Sequence, residues 1–239
     1  MRPGLASFAT GRAWARPAHA TLGAALLVAA VAAAPARSEA GPFSAASETP
    51  RRWFLVGALG GSTQWNSKLA DYQWSVTPRA GFGGEAMAGF GRLEAGIRFV
   101  RTGTSQAIGV PGAIDQTRVQ ATSFEVVTRA RVWEWHQVQS LATVSTGLLH
   151  LGYDPDRVSI PSGSGSTEVS FDPINAWAVG GGVALRRPLG GAWRMGVDVE
   201  QEMFALDTAH RQGGAIEQGR TSFGDWSARF ELARIFARP

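Results

Sequence analysis

Residues Asn175–Leu206, NAWAVGGGVALRRPLGGAWRMGVDVEQEMFAL, decide the fold. In the second half, Trp193, Met195, Val197, Val199 and Met203 fall on one parity, and Arg194, Gly196, Asp198, Glu200 and Glu202 fall on the other. Strand side chains point to opposite faces in turn, so this segment carries one apolar and one charged face. The first half repeats the pattern more weakly, with Trp177, Val179, Val183 and Leu185 opposite Ala176, Ala178, Gly180 and Gly182. Pro188-Leu189-Gly190-Gly191 reverses the chain between them. A soluble sandwich would bury the valines and wet the charges. A membrane barrel does the opposite, with valines against lipid and charges in the lumen.

The rest of the chain favours the membrane. Trp53–Trp65, Arg79–Phe90, Leu93–Arg101, Thr122–Trp135, Ser140–Tyr153 and Thr221–Phe236 read as strands, giving about eight with the hairpin. Gly91-Arg92, His136–Gln139 and Pro188–Gly191 are short turns. Asn66–Thr77, Thr102–Gln120, Asp154–Pro173 and Asp207–Arg220 read as long polar loops, with Ser162–Ser166 a flexible stretch. Long loops on one side and tight turns on the other characterise outer-membrane barrels. The expected fold is therefore an all-β, eight-stranded, antiparallel up-and-down transmembrane barrel over 52–239, after a short lead-in at 41–51.

Residues 1–40 read as a signal peptide. Arg2, Arg12 and Arg16 precede the apolar run Leu22–Ala34, which is too short and alanine-rich to span a bilayer. Cleavage is expected after Ala36 or Ala40, where small residues are correctly spaced. The chain has 23 Lys+Arg and 19 Asp+Glu, and the leader holds four of the arginines and Glu39, so the mature chain is nearly balanced. Nothing in that balance invites nucleic acid. With no cysteine there is no disulfide framework and no lipidated N-terminal Cys.

An arginine facing lipid at mid-membrane costs about 2–4 kcal/mol. Turning Arg98, Arg129, Arg131, Arg194 and Arg229 inward avoids that cost and lets them meet Glu85, Glu94, Glu125, Asp198, Glu200, Glu202, Asp225 and Glu231. An eight-stranded barrel is only wide enough for its own side chains. The expected lumen is thus an ion-paired plug. Gly96, Gly180, Gly182 and Gly196 on the same parity leave room for the long side chains. Trp65 and Trp177 at loop-side strand ends, with Trp53, Trp133, Trp135 and Trp193 at turn-side ends, read as aromatic girdles.

On Ala80–Arg101, with Gly81-Phe82-Gly83-Gly84 and then LEAGIRFVR, on the Thr122–Val132 strand and on the last strand, the chain resembles the small OmpA/OmpX-like and PorT-like outer-membrane barrels. The resemblance implies an outer-membrane location in a Gram-negative envelope, with membrane lipids and the barrel assembly machinery as partners. It also implies that Phe230, Leu232 and Phe236 form the terminal insertion signal, although Arg234 interrupts the series and three residues trail beyond it. Such families share architecture more than activity.

Some barrels of this kind modify lipids and need a His, a Ser and an acid together near the membrane surface. The mature histidines are His136 in a turn, His150 near a strand end and His210 in a loop, and no serine lies two residues from His150. Asp154, Asp156 and Asp172 read as solvated loop acids. The reading is a non-enzymatic barrel, without cofactor or metal, serving envelope integrity or surface interaction through its loops. A lipid A or phospholipid-modifying barrel and a secreted barrel binding a small apolar ligand are the alternatives.

Overall fold

Three turns of two residues set the meander, and each uses backbone that ordinary residues avoid. Gly91 has φ of 63°, His136 and Gln137 have 45° and 70°, and Gly191 has 57°. Positive φ at both central positions, as at His136-Gln137, matches the right-handed twist of hairpin strands. These turns lie in a computed structural model that describes residues 52–108, 114–162, 165–212 and 215–237. The leader and lead-in fall outside the described residues, as do residues 109–113 and 163–164 in two of the loops.

The strands are β1 (Arg52–Gln64), β2 (Arg79–Phe90), β3 (Leu93–Ala107), β4 (Gln116–Trp135), β5 (Val138–Asp154), β6 (Arg157–Ser162), β7 (Gly165–Ser170), β8 (Ile174–Gly190), β9 (Trp193–Gln212) and β10 (Ala215–Ala237). Eight of them close a barrel in the order β1-β2-β3-β4-β5-β8-β9-β10, every pair antiparallel. Closure comes from β1, which pairs with β2 from Arg52↔Phe90 to Thr63↔Arg79 and with β10 from Trp53↔Ala237 to Gln64↔Trp226. The ring then has no edge strand, the condition for a sheet to sit in hydrocarbon.

The surface is inverted relative to a soluble protein. Phe82, Ile97, Phe124, Val126, Val183 and Met203 are among the exposed residues, while Glu85, Arg98, Arg129, Glu200 and Glu231 are buried. This apolar outside and charged inside make the protein a membrane-spanning barrel of the outer-membrane type.

The four long connections differ from the sequence reading, because three of them are largely ordered β-structure and the fourth carries a short helix. β3 and β4 remain paired out to Ala107↔Gln116, and β9 and β10 out to Gln212↔Ala215. β6 and β7 form a separate hairpin inside Asp154–Pro173, with Ser162 and Gly165 at its tip. Asn66–Thr77 contains a 3-10 helix, Ser67–Tyr72, whose first turn is capped by the Asn66 side chain. Polar composition hid these strands, yet Thr104, Thr117, Val158, Ile160 and Val169 supply β-forming residues throughout. Pairing also satisfies backbone groups that a loop would leave to water.

A closed ring with no free edge should survive SDS. Unboiled protein is expected to migrate apart from boiled protein on the same gel; identical mobility would contradict the closed barrel.

Candidate functional site

The inward parity of the strands converges on the lumen, where four arginines are fully enclosed. Arg98 (β3) donates through Nε to Glu125 Oε2 (β4) at 2.8 Å and through Nη2 to Glu200 Oε2 (β9) at 2.5 Å. Arg129 (β4) grips Glu85 (β2) with both terminal nitrogens, at 2.7 and 2.8 Å, and reaches Asp198 (β9) at 3.0 Å. Arg186 (β8) donates to Glu231 (β10) at 2.8 Å, to Glu85 at 3.0 Å and to Glu94 (β3). Arg229 (β10) donates to Glu200 at 2.7 Å and to Glu202. Ser145 adds a hydrogen bond to Glu200. A Cβ on Gly180 would stand 2.4 Å from Ser145 Oγ and 2.6 Å from Glu200 Oε1, so only glycine leaves these carboxylates in place.

The lattice joins walls that are not neighbours. Arg186 ties β8 to β2, β3 and β10, and Arg98 ties β3 to β9. Among the described residues, the buried acids of the lumen are Glu85, Glu94, Glu125, Asp198, Glu200, Glu202, Asp225 and Glu231, and the buried arginines are Arg98, Arg129, Arg186 and Arg229. The enclosed acids thus outnumber the enclosed cations by eight to four. Glu125, Glu200 and Glu202 are the group whose carboxylate oxygens converge.

Two of the arginines assigned to the lumen lie at its turn-side rim. Arg194 stacks over the Trp53 ring at 4.9 Å and comes within 3.9 Å of Glu94. Arg131 pairs with Glu134 at 3.0 Å, where both side chains are substantially exposed. Arg186 was absent from the sequence assignment although its parity was visible. It continues the series Ala176, Ala178, Gly180, Gly182 that faces away from the apolar side.

The loop-side half of the interior is apolar. Trp65, Leu69, Trp74, Val119, Leu149, Leu151, Phe204, Leu206 and Phe223 pack into one buried cluster, with Tyr72, Tyr153 and Ile174 against it. The 3-10 helix contributes Leu69, so the Asn66–Thr77 segment folds onto this cluster. Trp65 is only 2 % exposed and meets Trp74 and Phe204 edge-on, which removes it from the girdle. Trp53 also leaves the girdle, because it shares the inward parity of Leu55 and packs beside Leu55, Met87 and Val127. Trp177 and Trp193 do face outward, as do Trp133 and Trp135, which stack at 6.2 Å. Trp133 would share the inward parity of Arg129 and Arg131, but a register shift between Arg131 and Trp133 turns it out. Trp226 is a further exposed tryptophan that the girdle assignment lacked.

Phe230, Leu232 and Phe236 all face outward on β10, and Arg234 lies 5.3 Å from the Phe236 ring centroid. His136 packs on Trp135 in its turn, and the exposed His150 shares a 2.8 Å hydrogen bond with Asn175 Oδ1. The His210 side chain lies outside the described residues. Asp154, Asp156 and Asp172 are exposed.

No protein-family profile matches the chain, and no curated protein sequence does. Among solved structures it is similar to the outer membrane protein AlkL in lipid bilayers, at 13 % identity and a TM-score of 0.44, over 84 % of this chain and 97 % of that one. A major outer membrane protein of Thermus thermophilus is similar at 12 % identity and a TM-score of 0.43, over 77 % and 99 %. The attachment invasion locus protein of Yersinia pestis, in complex with the heparin analogue sucrose octasulfate, is similar at 12 % and 0.40, over 78 % and 99 %.

Removing one partner from a buried ion pair costs about 3–5 kcal/mol, because the other charge is left uncompensated. Arg129→Leu should therefore lower unfolding stability by about that amount in urea titrations. Val126→Leu, on the 57 % exposed outer face, should stay within about 0.5 kcal/mol of the parent. An Arg129→Leu variant as stable as the parent would contradict the lattice.

Proposed function

We propose that the protein is a closed, non-enzymatic outer-membrane barrel that acts through the β-structure it raises beyond the membrane. The observation carrying this reading is the way its interior is filled. The charged lattice occupies the middle and turn side of the lumen, and the aromatic cluster occupies the loop side. An eight-stranded barrel has space only for its own side chains, and here arginines, carboxylates and tryptophans take that space. Such a lumen does not conduct.

A surface-interaction role is favoured over a purely structural one by the paired extensions. β9 and β10 stay hydrogen-bonded to each other from Leu206↔Thr221 to Gln212↔Ala215, beyond the last residues that pair with β8 or β1. The β6–β7 hairpin adds a second projection. Paired strands hold a recognition surface in a fixed shape, so less ordering entropy is lost on binding than from a free loop. These projections face outside the cell, and the three tight turns face the periplasm. His150 hydrogen-bonds Asn175, neither a serine nor an acid, which supports the non-enzymatic reading, since lipid-modifying chemistry needs its acid–base groups together.

Purified barrel in planar bilayers should give no steady conductance, and stable channels would overturn the closed-lumen reading. A lipid A and phospholipid mass spectrum should be the same with and without the protein. On intact cells, an epitope inserted at Ser166 should bind antibody while one inserted at His136–Gln137 should not. The reverse labelling would invert the topology.

A further inference from the structure

The eight buried acids of the lumen exceed its four buried arginines, and half of that excess gathers in one place. Glu125 (β4) and Glu200 and Glu202 (β9) bring carboxylate oxygens within 4.8 Å of one another. Asp225 (β10) stands opposite Glu202 in the ladder and interacts electrostatically with both Glu202 and Glu125. Two arginines reach this group. Arg98 binds Glu125 and Glu200, and Arg229 binds Glu200 and Glu202. Four carboxylates against two guanidinium groups leave a local deficit of two positive charges.

A second observation points the same way. Asp225 is 6 % exposed, and no protein group donates to its Oδ1. Glu125 Oε1 is in the same condition on a side chain only 2 % exposed. Bare, buried carboxylate oxygens are costly in a low-dielectric interior unless a cation or proton meets them. Asp198 Oδ1 and Glu231 Oε1 are bare elsewhere in the lattice, while Asp225 Oδ1 and Glu125 Oε1 belong to this four-carboxylate group.

We propose that Glu125, Glu200 and Glu202, with Asp225 beside them, hold one hard divalent cation, of the magnesium, calcium or manganese class, inside the barrel. The donor set is carboxylate oxygen alone, with no imidazole or thiolate, and oxygen ligands select this class. One divalent ion also matches the deficit of two charges. Bound there, the ion ties β4 to β9 and β10 across the lumen and acts as a staple.

The inference rests on the closed, ion-paired lumen proposed above, but the two fail separately, since a barrel that never conducts can still bind no cation. The test uses full-length mature barrel in detergent at neutral pH, stripped with EDTA and titrated calorimetrically with manganese, magnesium and calcium. At least one of these should bind with a stoichiometry near one per chain and raise the thermal midpoint. Glu202→Gln combined with Asp225→Asn should weaken that binding at least about tenfold, while Glu168→Gln on the exposed β7 should leave it unchanged. Glu202→Gln alone, checked for folding by its unboiled gel mobility, covers the case where the double variant does not assemble. No saturable binding of any of the three ions would overturn the proposal and assign the deficit to protons. Undiminished binding in the folded Glu202→Gln and double variants would overturn it by placing the site elsewhere.

Discussion

The ion pairing of Arg98, Arg129, Arg186 and Arg229 is the interaction on which the remaining structure depends. Each guanidinium is wholly or almost wholly enclosed, and Arg98, Arg129 and Arg186 bridge strands that are distant around the ring. Taking a charge out of water costs several kcal/mol even after relaxation, and a single ion pair often fails to recover it. Forked, multiply hydrogen-bonded arginines recover more, because planar donors meet two or three carboxylates at once. The same groups facing lipid would each cost about 2–4 kcal/mol at mid-membrane. Between these two costs the chain has one workable arrangement, with the charged parity inside and the apolar parity outside.

That arrangement explains features that look local. Gly180 is a glycine because Ser145 and Glu200 occupy the space its side chain would need. The register shift before Trp133 matters because, without it, an indole would point into the turn-side lumen. Arg194 finds the face of Trp53 at the rim, so a partly buried cation meets an aromatic ring as well as Glu94. On the loop side the lattice gives way to the Trp65–Trp74–Phe204 cluster, and the interior there is apolar.

Strand parity made most of the barrel legible in the sequence. The alternation in Trp193–Met203 sets the inward position of Asp198, Glu200 and Glu202, and the same rule places Glu85, Glu94, Arg98, Glu125 and Arg129. Four things were not legible. The inward parity changes character along a strand, so Phe204 and Leu206 follow Glu200 and Glu202 on the same face, and a charge-based reading stops too soon. Position at a strand end does not decide the face: Trp53 and Trp65 share the inward parity of Leu55, and Arg131 keeps the inward parity of Arg129 but lies at the rim. Arg186 was overlooked because its neighbours on that face are alanines and glycines, which carry no charge signal. Polar hairpins such as β6–β7 resemble loops in composition, and only pairing distinguishes them.

The most direct test is a double-mutant cycle on the Arg129–Glu85 fork. Unfolding free energies would be measured for Arg129→Met, Glu85→Gln and the combined variant in one lipid or detergent system. If mutual pairing holds the charges inside, the double variant loses less than the two single losses together, with a coupling of about 1–3 kcal/mol. Losses that add to within about 0.5 kcal/mol would show that the two side chains are independently solvated. The ion-paired interior would then be contradicted.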